Sequence, residues 1–125
     1  MTTTPDEGLE ATGDLLKDAI AYVGLGTGQN ESTTASALGS REYLAQTSNP
    51  NVRLVETGDT GEYDIIIEVT GGTEVEGGTN LSEIAAFFGD PDSGGPLFAI
   101  DEFDAVEIEA GHTDEFTIPV DPQRV

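Results

Sequence analysis

Apolar residues recur at every second position over several short stretches, the period of a β-strand with one dry and one wet face. Val106 and Ile108 alternate with acids in residues 104–110, and Phe116 and Ile118 alternate with acid and threonine in residues 114–120. Upstream, residues 82–88 and 96–102 are two apolar segments joined by a stretch of Gly, Asp, Pro and Ser, which reads as a hairpin with a long loop. Pro91 and Pro96 cannot donate a ladder hydrogen bond, so both belong in that loop or at a strand's first residue. These four segments predict a meander, the best-specified part of the fold.

The chain before it is less regular. Residues 1–6 are polar and are expected to form a flexible N-terminus. From Glu7, the positions of Leu9, Leu15, Leu16 and Ile20 mark one face of a short helix, with Asp6 as N-cap and Lys17 near the C-terminal end. Gly13 weakens that helix and predicts two or three turns. Residues 18–24 read as a buried strand, residues 35–39 as a helical turn inserting Leu38 into the core, and residues 41–47 as another strand. Residues 52–57 and 63–70 form a second predicted hairpin, and the glycine-bounded stretch 71–78 a mobile connector. Short strands punctuated by turn signals predict an all-β fold: an antiparallel β-sandwich of seven or eight strands with one short N-terminal helix, a single domain over residues 7–125.

Charge changes the picture more than length does. Twenty-five acids face four bases (Lys17, Arg41, Arg53 and Arg124), a net charge of −21 on 125 residues. Such composition raises the question of disorder, but Ile65-Ile-Ile, Phe87-Phe88 and the alternating segments supply real apolar runs. A nucleic-acid mimic or a calcium sponge would cluster its acids, whereas here they alternate with core positions. A solvated acidic shell on an ordinary core is the simpler reading, and the composition resembles that of salt-in haloarchaeal proteins. The absence of cysteine excludes disulfides and thiolate metal sites. The N-terminus lacks the basic head and apolar run of a signal peptide, and no apolar run is long enough to span a bilayer.

Four motifs invite chemistry, and each has a plainer explanation. Gly24-Leu-Gly-Thr-Gly after a strand suggests a phosphate loop, but no Gly-Lys-Ser/Thr follows and a −21 chain repels phosphate, so a flexible loop is expected. Asp92-Ser-Gly-Gly-Pro-Leu matches the surroundings of the nucleophile in chymotrypsin-like proteases. The only histidine, His112, follows Ser93 instead of preceding it, and Pro91 replaces the expected glycine. Asp90, Asp92 and Gly94 open like a calcium loop, yet the twelfth position is Asp101, inside a predicted strand, so whether this loop holds a cation stays open. His112 has no second histidine for zinc. Arg41 and Arg53 are expected to form cross-strand ion pairs with glutamates. No residue is assigned a catalytic, cofactor-binding or metal-binding role, and the chain is not expected to be an enzyme.

One resemblance covers residues 8–120. Gly8-Leu9, Asp14-Leu15-Leu16, Gly26-Thr27-Gly28 and Ser36-Ala37-Leu38 with Arg41-Glu42-Tyr43 occur in that order in the first half. Leu81-Ser82-Glu83, Phe87-Phe88, Leu97-Phe98-Ala99 and the stretch from Gly111 to Val120 follow in the second. In order and spacing the chain resembles small β-sandwich structural proteins of tailed viruses, including those of haloarchaea. It departs from them in placing Arg41 before the aromatic Tyr43 rather than after it. The resemblance implies a virion location, as a head decoration, turret, tail-fibre or baseplate module. The expected partners are copies of the same chain arranged by symmetry and other virion proteins such as the major capsid protein, with no nucleic acid or membrane. Because the chain stops soon after its last predicted strand, a compact capsid turret or decoration module is expected ahead of a long fibre. A glycan-binding module recognising the host surface is the alternative; it would need some of Tyr22, Tyr43, Tyr63 and the phenylalanines as stacking platforms.

Overall fold

A computed structural model describes residues 5–29, 31–32, 34–58 and 60–122. Helix α1 (Asp6–Ala19) leads into β1 (Tyr22–Gly26), β2 (Arg41–Gln46), β3 (Val52–Glu56), β4 (Tyr63–Thr70), β5 (Thr79–Phe87), β6 (Leu97–Ile108) and β7 (Thr113–Val120). The strands form two antiparallel sheets, ordered β2-β1-β5-β6 and β3-β4-β7. This is the expected all-β sandwich with one helix. Among the described residues no helix is long and apolar enough to cross a membrane.

The core lies between the sheets. Val23, Leu25, Leu81, Ile84 and Ile108 from the first meet Ile65, Ile67, Val69, Phe116 and Ile118 from the second, all buried in one cluster. Strand β4 alternates strictly between buried and half-buried positions, and its register with β7 places Ile65 opposite Ile118 and Ile67 opposite Phe116. Period-two patterning therefore located these two strands correctly.

The predicted meander is corrected in two respects. The segments 96–102 and 104–110 are not separate strands; residues 97–108 form one twelve-residue strand, β6. The break in alternation at Phe103 is a bulge, because the step from Leu81 to Glu83 on β5 answers to the longer step from Val106 to Glu102 on β6. Phe103 then stacks on Phe116 of the facing sheet, ring centroids 5.2 Å apart. Strand β7, moreover, does not pair with β6. Past Gly111, whose φ is +81°, the chain crosses to the other sheet and β7 lies against β4.

The first half departs more. The α-helix is longer than Gly13 suggested, fourteen residues, so the segment predicted as a strand from residue 18 starts only at Tyr22. Asp6 lies within the helix instead of capping it, and Pro5 occupies the N-cap position without a side-chain cap. Residues 1–4 of the expected flexible terminus lie outside the described residues. Gly13 itself is buried against Gly61, where a Cβ would stand 2.3 Å from the carbonyl oxygen. Close approach explains the glycine that propensity counted only as a weakness.

Gly24 and Gly26 are strand residues, not a loop. Val23 and Leu25 face the core, so these glycines open the opposite face of the sheet. There a Cβ on Gly24 would meet Leu38 at 2.9 Å, and one on Gly26 would meet the Ser40 carbonyl at 2.6 Å. Leu38 and Ser40, from the strap between β1 and β2, lie over this face. Leu38 is half-buried on it instead of entering the inter-sheet core, and residues 35–39 form no helical turn. The 71–78 stretch is likewise built rather than loose: Gly71 bridges to Val75 and Ala110, Val75 is buried, and the Glu74 carboxylate accepts the Thr70 amide at 2.7 Å.

Candidate functional site

The protease-like hairpin loop is a self-contained turn. Pro91–Ser93 form a single 3-10 turn; the Asp90 side chain accepts from the Asp92 amide at 2.9 Å and the Asp90 carbonyl accepts from Ser93 and Gly95. Gly94, at φ +84°, reverses the chain, and Gly95 packs on the backbone of Gly89 so closely that a Cβ would overlap it. Asp92 is occupied. Both of its oxygens accept from Arg41 at 3.0 Å, which fastens the loop to the end of β2. That fork holds the Asp92 carboxyl below its ordinary value and raises the Arg41 guanidinium.

Ser93 and His112 stand before and after β6, at opposite ends of a twelve-residue strand. His112 instead faces Glu109, 3.5 Å away on its own turn. The residues that a triad would need are not brought together. Asp90, Asp92 and Asp101 do not converge as a calcium set either, since Asp101 lies on β6 and Asp92 is engaged by Arg41. Among the described residues no group of three or more His, Asp or Glu is placed to hold a metal ion.

The scarce cations are spent on tying elements together. Arg53 on β3 reaches across β4 to Glu115 on β7, an ion pair spanning the second sheet. Arg41 takes an aspartate in a loop, not a glutamate on a strand as expected. Lys17 bridges Asp14 of its own helix and Glu56 of β3, and the Glu56 hydrogen bond raises the Lys17 ammonium above its ordinary value. Arg124 lies outside the described residues.

Two features escaped sequence reasoning. The first is Glu83, a carboxyl with 0 % exposure on the central strand β5. One oxygen accepts the Ser40 amide at 3.2 Å, while the neighbouring Ser82 hydroxyl donates to the Gly28 carbonyl at 2.7 Å. Together they pin both ends of the strap over the glycine face. A lone acid just ahead of the apolar run 84–88 was the signal, but in a chain this acidic it did not stand out.

The second is a cleft of about 290 Å³ between the start of β6 and the end of β7, which belong to opposite sheets. Tyr63 and Val120, partners in the β4–β7 register, line it from one sheet and Phe98 and Ala99 from the other, with Pro119 beside them. Tyr63 is 1 % exposed, and its hydroxyl has no hydrogen-bond partner among the described residues. Burial pushes the phenol up to about 12, so it remains a neutral donor well past ordinary pH. On the other side of Tyr63, Lys17 stands 6.0 Å from the ring centroid, beside a more polar cleft bordered by Glu10, Asp14 and Glu56. The sequence signal was a tyrosine in phase with Ile65, Ile67 and Val69, a polar tip sent inward with the core.

No protein-family model matches the chain, and none of the curated proteins compared with it matches either.

Proposed function

We propose that the chain is a structural protein of a halophilic tailed virus, a compact module repeated by symmetry on the outside of the particle as a capsid turret or decoration. The observation that carries this reading is where the residues of the sequence resemblance lie. Gly26 admits the strap, Leu38 covers the neighbouring Gly24, and Ser82 and Glu83 pin the strap down. Leu81 and Phe87 are buried on β5, and Gly111 turns the chain between the sheets. These residues build the scaffold rather than converge on a reaction centre, so what the resemblance shares is a fold-forming pattern, as expected of a structural protein. The net charge of −21 supports a particle working in strong brine, where ions screen the repulsion between neighbouring copies.

Homo-oligomerisation and contact with the major capsid protein follow from this role as its expected interactions. The host-glycan alternative has less to stand on. Every tyrosine and phenylalanine is buried or half-buried, so no ring is offered as an exposed sugar-stacking platform. Immunogold labelling of purified particles with antibody to this chain tests the proposal. Label on the head exterior is expected. Label confined to the tail would favour a fibre or baseplate module, and its absence from particles would overturn the virion reading.

A further inference from the structure

Independently of the virion reading, we propose that the outer edge of β6 at Leu97-Phe98-Ala99-Ile100 takes up an extended segment of another protein, one that alternates apolar with basic residues, as an added strand. β6 is the last strand of its sheet, and among the described residues no strand pairs with its outer side. Such an edge is a template for a further strand. Most of this one is defended. Asp101, Glu102, Asp104 and Glu107 charge it, and the Gln29 side chain reaches the Phe103 carbonyl. Residues 97–100 carry no charge and are half-buried, so the undefended part of the edge is its first four residues.

This short stretch has a cleft on each side. Phe98 and Ala99 pack on the core between the sheets, and they line the cleft of about 290 Å³ that Pro119 and Val120 close from the other sheet. A groove of about 710 Å³ separates residues 97–100 from Glu31, Ser32 and Ala35 of the strap. Side chains of an added strand alternate between the two faces of the sheet, so they would enter the two clefts in turn. The inter-sheet cleft has apolar walls and suits a valine or an isoleucine. The strap side suits a cation. Glu31 stands there with Asp101 and Glu102, and desolvation together with these two acids raises its carboxyl above the ordinary value. No described cation relieves that crowding, since Lys17 and Arg41 are paired with Glu56 and Asp92 and Arg53 with Glu115. For the same reason a second copy of this acidic chain fits the edge badly, whereas a basic segment complements it.

The test is an NMR titration of the intact chain, in the lowest salt that keeps it folded, with the peptide acetyl-Thr-Val-Lys-Val-Lys-Val-Thr-amide. Saturable shifts confined to residues 97–100 and the two clefts are expected, with slowed amide exchange along that edge. The same peptide with glutamate for lysine should bind about tenfold more weakly, a preference that shrinks as salt is added. Its fully N-methylated form, which has no amide to donate to the edge, should not bind. Glu31→Lys, at an exposed position, should reverse the preference between the lysine and glutamate peptides. Absence of shifts up to about 1 mM peptide, a dissociation constant worth only about 4 kcal/mol, would overturn the proposal. Equal binding of the N-methylated peptide would overturn strand addition, and equal binding of the glutamate peptide would overturn the charge assigned to the partner. Concentration-dependent broadening at residues 97–100 without any peptide would make the edge a contact between copies and overturn the choice of occupant.

Discussion

Gly13 and Tyr63 show opposite ways in which one side chain can be wrong for its local element and right for its surroundings. Replacing Gly13 with alanine improves helix propensity by about 1 kcal/mol. It also drives a methyl to 2.3 Å from the Gly61 carbonyl, a backbone atom that cannot swing aside. Overpacking of this kind costs about 1–3 kcal/mol and should win, so we expect Gly13→Ala to lower the melting temperature despite the better helix former. A rise in melting temperature would show that the Gly58–Gly61 loop gives way freely. Tyr63 carries the reverse expectation. Its hydroxyl is buried and has no partner among the described residues, so Tyr63→Phe should leave stability unchanged or raise it by up to about 1 kcal/mol. The pH dependence has a definite sign. The folded phenol is raised to about 12, above an unfolded value of about 10, so its contribution is complete below pH ~10 and is lost as pH rises toward ~12. Melts across that alkaline window should therefore fall less steeply in Tyr63→Phe than in the parent chain.

The strap and the hairpin loop are held by contacts of different worth. Arg41 and Asp92 form a two-bond fork, but both side chains are substantially exposed, so the pair adds little to global stability. Arg41→Ala is expected to leave the melting temperature nearly unchanged while accelerating hydrogen exchange at Ser93 and Gly95, whose amides bond to Asp90 inside the tethered turn. A large global loss would show that the loop is part of the cooperative core. Glu83 is the contrasting case, fully buried and accepting from the strap backbone. Truncation in Glu83→Ala strands the Ser40 amide and opens a space beside Gly26, a loss of about 1–3 kcal/mol. Glu83→Gln keeps the length and an acceptor oxygen and should retain most of the stability. Limited proteolysis reports the difference directly: cleavage between residues 27 and 40 should quicken in the alanine variant and stay slow in the glutamine variant.

Charge acts on the molecule as one body. With a net of −21 the chain repels itself in dilute buffer, and the screening length shortens from about 10 Å at 0.1 M salt to about 3 Å at 1 M. Folding stability is only about 5–15 kcal/mol, so a repulsive contribution of a few kcal/mol decides whether the fold survives. We expect the isolated protein to be stable in molar KCl or NaCl and to lose structure in dilute buffer; equal melting temperatures at about 50 mM and about 2 M salt would refute this. Mild acid should relieve the same repulsion, reducing the salt requirement near pH ~4–5 as carboxylates begin to protonate. The relief has a lower limit. Asp92, bonded by Arg41, and Glu62, bonded by Thr60, have folded values below their ordinary ones, so their stabilisation is present above the unfolded values and lost as pH falls through the folded ones. Glu31, raised by desolvation and by Asp101 and Glu102, runs the other way and favours the folded state where it is protonated. In low salt, stability should thus pass through a maximum in mild acid.

Alternation along the chain was enough to identify an all-β sandwich, because residues 63–70 and 114–120 each bury every second side chain and local periodicity directly reflects that burial. The acidic shell was equally legible, since net charge needs no coordinates. Sheet membership was not. β7 looked like the next strand of a meander, and only its register with β4 places it in the opposite sheet. Nor did propensity explain Gly13, Gly24 and Gly26, whose reason is another segment's backbone or side chain at van der Waals distance. The apparent catalytic loop dissolved for the same cause: Ser93 and His112 are nineteen positions apart in sequence, but an extended strand holds them apart in space. Glu83 and the Tyr63 cleft were hidden because each residue is ordinary by itself. Burial under a strap, or between two sheet edges, is produced by segments distant along the chain, and it is that burial which turns a common acid into a pin and a common tyrosine into an unpaired donor.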